Sequence, residues 1–259
     1  MTLAVHEWGE PGTPRVVCLH GVTGHGRHFA RLAKRLAPLY HVLAPDLLGH
    51  GGSRREPPWS LDAQVDELFA ALGREPAICI GHSFGARIAI ELAAREPGFA
   101  MQLVLLDPAI SLPPQVALFA AENTRAERAY TSFAEGIDRR YEESSLHSTN
   151  RAELEQELES HLVRSEDGLW RYRYCQSAVI AAYSDMASAP PRFEALRVPT
   201  LLALGAHSYL SYEHLLDEHR AALGDLLEVV TVEAGHTILL DAFEETAVAI
   251  ESFLRRPNH

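Results

Sequence analysis

Apolar residues recur along this chain in two alternating rhythms. Continuous apolar runs at Arg15-Val16-Val17-Cys18-Leu19-His20, Tyr40-His41-Val42-Leu43-Ala44, Ala77-Ile78-Cys79-Ile80, Leu103-Val104-Leu105-Leu106 and Val198 to Leu204 have the pattern of strands buried on both faces of a parallel sheet. Between them the apolar positions fall three or four apart. Phe29, Leu32, Ala33 and Leu36 predict a helix from about His28 to Ala37, stopped by Pro38. Leu61, Val65, Leu68, Phe69 and Leu72 predict another, capped by Ser60 and ended by Gly73. A short alternating segment, Leu3 to Trp8, precedes them and runs into a turn at Gly9-Glu10-Pro11-Gly12. A helix from Tyr212 to Leu223, a strand from Leu226 to Val232 and a helix from about Thr237 to Leu254 close the chain. Strands and helices alternating at this spacing predict the α/β class: a mostly parallel central sheet with helices on both faces, joined by right-handed crossovers, with ligands at the carboxyl ends of the strands.

The alternation stops at Pro108 and does not resume until about Pro191. The intervening residues are polar and helical, notably Gln115 to Ala129, Arg151 to Val163 and Tyr172 to Ser188. The expected organisation is therefore a core from residues 1–107 and 192–259, with residues 108–191 inserted as a helical cap over the carboxyl edge of the sheet. A helical bundle packed elsewhere is the alternative.

Composition narrows the class of partner. With 47% apolar and 22% charged residues in a chain of 259, a single large core is expected. Lys and Arg total 23 against 35 Asp and Glu, a net charge of −12, which argues against nucleic acid or an anionic membrane as partner. Cys18, Cys79 and Cys175 are far apart; the first two lie in predicted strands and the third in a predicted helix, so they read as reduced core thiols. Residues Met1 to Glu7 lack the basic and long apolar regions of a signal peptide, and no apolar run approaches the ~18 residues of a membrane span. A cytoplasmic protein acting on a small molecule is expected, with a homodimer left open.

The stretch that carries chemistry is Gly81-His82-Ser83-Phe84-Gly85, which follows one of the apolar strands and precedes the helical run Ala86 to Glu96. A serine between two glycines at a strand-to-helix junction is the sequence form of a nucleophile elbow. The glycines let strand and helix backbones approach closely. A serine hydroxyl needs a base within hydrogen-bond reach before it attacks a carbonyl. Fourteen histidines are available for that role.

Four motifs in order, His20-Gly21, Pro45-Asp46-Leu47-Leu48-Gly49-His50-Gly51, the elbow at Ser83 and Gly235-His236, make the chain resemble the α/β-hydrolase fold over nearly its whole length. The resemblance implies Ser83 as nucleophile, His236 as base, and the backbone N–H groups of Val22 and Phe84 as donors to a developing oxyanion. It also exposes a departure. The family most often supplies its acid after the strand that here ends at Leu204, and that place reads Gly205-Ala206-His207-Ser208-Tyr209-Leu210, with Ser208 in the aspartate's position. Some members carry the acid after the strand before the cap, which makes Asp107 the replacement. An aspartate before a proline could equally tie down a strand-end loop. Glu213, Asp217 and a dyad assisted by water stay open as alternatives.

The function this implies is a serine hydrolase of the carboxylesterase type, acting without a cofactor on a small to medium, largely apolar carbonyl substrate through an acyl-enzyme. Carbon-carbon bond, thioester or lactone hydrolysis and cofactor-free haloperoxidase activity would use the same residues. A ligand-binding protein on this fold is the alternative from another class. His20, His25, His28 and His50 have no carboxylate or cysteine at ligand spacing, so no metal is expected. Arg54-Arg55 reads as a solvated loop. Phe29 and Trp59 fall just past strand ends and are candidate pocket residues. In the cap, Trp170, Tyr172 and Tyr174 alternate with Arg171 and Arg173; they are expected to pack the cap onto the sheet, with Trp170 the candidate for lining the pocket.

Overall fold

The computed structural model describes residues 3–143, 146–190 and 192–256. The expected domain limits at residues 1, 191 and 259 lie outside the described residues. The core sheet contains β1 (Val5–Trp8), β2 (Arg15–Leu19), β3 (His41–Pro45), β4 (Ala77–His82), β5 (Ala100–Leu106), β9 (Thr200–Gly205) and β10 (Leu227–Val232), in the order β1-β3-β2-β4-β5-β9-β10. All neighbours are parallel except β1, which runs antiparallel to β3 at the edge.

Helices cover both faces, and the strand side chains show why the runs are continuously apolar. Val17, Leu19, Cys79, Leu103, Leu105 and Leu202 point to one side, against α2 (Leu61–Leu72), α3 (Phe84–Arg95) and α8 (Glu213–Leu223). Their neighbours Val16, Cys18, Ile78, Ile80, Val104 and Leu201 point to the other, against α1 (Ala30–Leu36) and α10 (Phe243–Leu254). Successive strand residues face opposite ways, so a strand covered on both sides has no position left for a polar residue. The expected caps form as well: the Ser60 hydroxyl accepts from the Ala63 N–H, and Gly73 ends α2 at a φ of 75°. The last expected helix is divided into α9 (Ile238–Asp241) and α10.

Residues between β5 and β9 form α4 (Pro114–Thr124), β6 (Ala129–Tyr130), α5 (Phe133–Glu143), α6 (Arg151–His161), β7 (Leu162–Arg164), β8 (Trp170–Tyr172) and α7 (Gln176–Met186). The expectation of helices alone needs correcting here. A three-stranded antiparallel sheet, in the order β6-β8-β7, joins α5 and α6 around a small core of Tyr130, Ile137, Leu154, Leu158 and Leu162. The helix predicted from Tyr172 begins only at Gln176, so Cys175 precedes the helix, and the helix predicted to reach Ala129 ends at Thr124. Strands of two or three residues are too short to carry a readable period, but the Trp170-Arg171-Tyr172-Arg173-Tyr174 alternation is the trace that β8 leaves.

The segment is fastened to the core loops through backbone pairs: Gly51 N–H to the Arg173 carbonyl at 2.6 Å and Cys175 N–H to the Gly49 carbonyl at 2.7 Å. Cys18 and Cys79 are buried free thiols, and burial pushes Cys79 up to about 12. Among the described residues no helix is long and apolar enough to cross a membrane.

Candidate active site

Ser83 sits where β4 turns into α3, with φ 54° and ψ −118°. A non-glycine residue at positive φ is strained, and it persists only where its surroundings hold it. Here the Ser83 N–H donates to the Leu106 carbonyl at 3.0 Å and its carbonyl accepts from Ala86 and Ala109. The flanking glycines allow this turn: a Cβ on Gly81 would overlap the Gly85 carbonyl, and one on Gly85 would overlap the Leu19 carbonyl. The turn leaves the serine hydroxyl at the carboxyl end of β4, bordering a cavity of about 560 Å³ that residues of the inserted segment, among them His161, Tyr172 and Tyr183, also line.

Three side chains brought from distant parts of the chain meet there. The Ser83 hydroxyl lies 3.0 Å from His236 Nε2, and His236 Nδ1 lies 2.6 Å from Asp107 Oδ2. A carboxylate only accepts, so Nδ1 carries the proton and Nε2 presents its lone pair to the serine. Asp107 is 1% exposed and has a φ of 40°. Its other oxygen accepts from the Gly205 N–H at 2.9 Å.

Ser208, standing in the position where the family usually has its acid, donates its hydroxyl to the same Oδ2 of Asp107 and accepts from the Leu210 N–H. The two strand ends that could each carry the acid are therefore neighbours, and the serine on one grips the carboxylate on the other. Of the alternative acids, Asp217 is exposed and paired with Arg220, while the carboxylate at hydrogen-bond distance from His236 is that of Asp107.

The loop Gly21 to Gly24 lies along the cavity floor. A Cβ on Gly21 would sit 3.1 Å from that of Ser83, so glycine lets this loop press against the elbow. Histidines clamp it. His20 Nδ1 donates to the Gly21 carbonyl at 2.8 Å while its Nε2 accepts from the Leu47 N–H. His50 Nε2 donates to the Val22 carbonyl at 2.6 Å, and His161 of the cap donates to the Thr23 carbonyl at 2.6 Å. Burial lowers the pKa of His20, whose ring both donates and accepts as a neutral prop, and lowers that of His50, whose two nitrogens face the Val22 and Leu48 carbonyls. Asp46 ties the next loop through Gly26, Gly52 and His6; burial works against its charge, but those hydrogen bonds hold its carboxyl well below the usual range. Val22 borders the cavity, and Phe84 opens α3 immediately after the serine.

Two supports went unread in the sequence. His82, inside the elbow motif, is buried and donates to the His236 carbonyl at 2.9 Å, so the elbow holds the backbone of the histidine loop. Burial, with His236 and His28 nearby, lowers its pKa well below the ordinary value. Asp241 accepts the Gly235 N–H at 2.9 Å and, from the cap, the N–H groups of His147, Ser148 and Thr149. The signal available was an acid five residues after His236, at the break before the last helix.

The candidate pocket residues fall elsewhere. Phe29 is fully buried beneath the sheet with Leu32 and Ala44, because the short turn at Gly26–Phe29 swings it inward. Trp59 packs beside Gly49 and donates to the Arg55 carbonyl. Trp170 packs against Phe133 in the cap. None of these three borders the cavity, whereas Tyr172 and Tyr174 do. Among the described residues the one metal-capable cluster, His147, His207 and Glu233, is exposed and separate from His20, His25, His28 and His50.

A family model described as the alpha/beta hydrolase family matches residues 16–249. Lipase LipV of Mycobacterium tuberculosis is 34% identical over 262 aligned positions, covering 97% of each chain. The 3-hydroxybutyrate-oligomer hydrolase of Cupriavidus necator is 28% identical, with 97% of this chain and 92% of that one covered. The solved structure of E-2-(acetamidomethylene)succinate hydrolase superposes with a TM-score of 0.87 at 24% identity, covering 98% of this chain and 95% of that one, a likeness of fold. The fold, the elbow and the length of these matches agree: the chain belongs to the alpha/beta hydrolase family.

Proposed function

We propose that the protein is a carboxylic ester hydrolase in which Ser83, His236 and Asp107 act as nucleophile, base and orienting acid. The observation that carries this reading is the unbroken chain of contacts from Asp107 Oδ2 through His236 to the Ser83 hydroxyl, 2.6 and 3.0 Å, beside a cavity of about 560 Å³. Relatives named as a lipase and a 3-hydroxybutyrate-oligomer hydrolase support the choice of an ester as the scissile bond.

In the first half-reaction the Ser83 oxygen attacks the ester carbonyl as its proton passes to His236 Nε2. The carbonyl oxygen takes the negative charge, and the N–H groups of Val22 and Phe84 stabilise it. The C–O bond to the alcohol then breaks, and His236 returns the proton to the leaving oxygen. Water, deprotonated by His236, attacks the acyl-serine; collapse releases the acid and restores the serine proton. Asp107 keeps the proton on Nδ1 and faces the imidazolium that forms at each step. Donors fixed by the backbone need no reorganisation when substrate arrives, and preorganisation of that kind is where such sites gain most of their rate.

Labelling with a fluorophosphonate tests the reading. The intact protein should be modified at Ser83 and Ser83→Ala should not; an unlabelled intact protein would overturn it.

A further inference from the structure

Successive carbonyls of the turn Gly21 to Gly24 each accept from an imidazole: Gly21 from His20 Nδ1 at 2.8 Å, Val22 from His50 Nε2 at 2.6 Å and Thr23 from His161 Nε2 at 2.6 Å. A carbonyl and the N–H of the next residue lie in one plane and point opposite ways, so whatever grips the carbonyl also aims that N–H. His161 therefore aims the Gly24 N–H, which closes the turn on the Gly21 carbonyl at 3.0 Å. The Gly21 carbonyl in turn shares its plane with the Val22 N–H, the proposed oxyanion donor. The turn also stands close to the nucleophile, since a Cβ on Gly21 would lie 3.6 Å from the Ser83 hydroxyl oxygen. Two hydrogen bonds thus connect a cap side chain to that donor.

The inserted segment holds the turn twice. His161 ends α6 and reaches Thr23 directly. His50 stands in a core loop, yet its backbone bridges to Tyr174, between the Gly51 to Arg173 and Cys175 to Gly49 bonds. His20, by contrast, is held from the core, by the Leu47 N–H.

The His161 ring serves little purpose apart from this bond. It is 4% exposed, and its Nδ1 is buried with no hydrogen-bond partner among the described residues. Burial lowers its pKa to about 4, so at neutral pH Nδ1 keeps a lone pair that meets no donor. A buried acceptor left unpaired costs stability. A phenyl ring would fill the same space, stacked on His25 at 4.6 Å and beside Tyr172 at 4.9 Å, without that cost. Packing alone does not ask for histidine here. Nor can the ring act on a substrate through its nitrogens, because one is taken by Thr23 and the other is closed off.

We infer that the inserted segment completes the oxyanion hole, and that His161 is the positioning residue through which it does so. Without its bond Thr23, which is exposed and borders the cavity, is free to turn its carbonyl to water, and the Gly24 and Val22 N–H groups lose their aim. The inference rests on the ester-hydrolase reading and ties the cap to its chemical step.

The test uses His161→Phe, which keeps a ring in place and removes the donor. Losing an oxyanion donor outright costs about 10²- to 10³-fold in kcat, so one that is misaimed should cost about ten- to a hundredfold. The kcat for p-nitrophenyl butyrate should fall by that factor, with KM close to that of the parent. Affinity for an alkyl trifluoromethyl ketone should fall in parallel, because the Ser83 oxygen adds to its carbonyl carbon, the serine proton passes to His236, and the former carbonyl oxygen is left as an oxyanion. The urea midpoint should stay at or above that of the parent. His161→Gln, which keeps an N–H donor, should recover part of the kcat, and His161→Leu serves for the same comparison if the phenylalanine variant does not fold. An unchanged kcat, a loss that falls on KM instead, or an unchanged ketone affinity overturns the inference and leaves the ester-hydrolase reading standing. A lower urea midpoint with kcat intact overturns it as well, since His161 would then be a structural tie alone. If the intact protein cleaves no ester and fluorophosphonate leaves Ser83 unlabelled, the ester-hydrolase reading itself fails, and the inference with it.

Discussion

Asp107→Asn probes the proposed mechanism at the point where the chain departs from its family's usual plan. The carboxylate is 1% exposed, and its Oδ2 is shared by His236 Nδ1 at 2.6 Å and the Ser208 hydroxyl, while Oδ1 takes the Gly205 N–H at 2.9 Å. An amide offers one acceptor where the carboxylate offers two. If its oxygen stays on Gly205, its NH₂ faces His236 and drives the proton from Nδ1 to Nε2, where it blocks the serine. If its oxygen turns to His236, its NH₂ meets the Gly205 N–H in a buried clash of donors. In either arrangement the imidazolium loses its counter-charge. A fall of about 10⁴ in kcat follows for a triad of this kind, about 5.4 kcal/mol at 1.36 kcal/mol per tenfold. The assay is p-nitrophenyl butyrate hydrolysis, with circular dichroism to show that the variant is folded. Activity within tenfold of the parent would refute Asp107 as the acid. Adding Ser208→Asp to this variant places a carboxylate on the other strand end, within reach of the position that Oδ2 held. That double variant should regain ten- to a hundredfold of the lost rate.

Other substitutions bear on the supports of the site. Asp241→Asn should lower kcat by about tenfold and loosen residues 147–149, read as faster amide hydrogen exchange there, because a weaker acceptor then faces the N–H groups of Gly235 and the cap loop; unchanged exchange would count against this tie. Gly85→Ala should destabilise the fold by about 3 kcal/mol or more, since its Cβ would meet the Leu19 carbonyl, and a urea midpoint close to that of the parent would contradict the close approach. Stability should fall as pH drops from about 6.5 to 4. Burial holds His25 down to about 3 and His161 down to about 4, so the unfolded chain takes up protons in that window that the folded chain refuses. His161→Gln should flatten the pH dependence of the urea midpoint by on the order of a few kcal/mol between pH 7 and 4, and an unaltered slope would refute the burial argument.

Much of this molecule is legible in its sequence because its strands are covered on both faces. Val16 to Leu19 must be apolar at every position, since alternate residues enter different cores, and such a run declares itself. The elbow is legible for a related reason: only glycine at 81 and 85 lets strand and helix backbones come so close, so the motif is a record of contact distance. Contacts that depend on long-range approach are not written this way. Phe29 looked available for a pocket because it follows a strand, yet a single turn at Gly26–Phe29 decides which side of the sheet it enters. The small sheet in the cap leaves little trace because its strands hold two or three residues. Asp241 and His82 bond to backbone N–H and carbonyl groups, which every sequence has and no sequence advertises.

Ser208 shows the limit most clearly. On its own strand end it reads as a missing carboxylate, and a residue with no charge there suggests a weakened or idle site. Beside β5 the same hydroxyl completes the shell of Asp107, whose Oδ1 is already held by the neighbouring Gly205. Because β5 and β9 are adjacent and in register, Leu106 against Ala203, the two strand ends open on the same point in space. On the proposed triad the acid stands on the end of β5 and the serine on the end of β9 gives it a donor, so the serine in the usual aspartate's place is accounted for by Asp107 across the strand boundary.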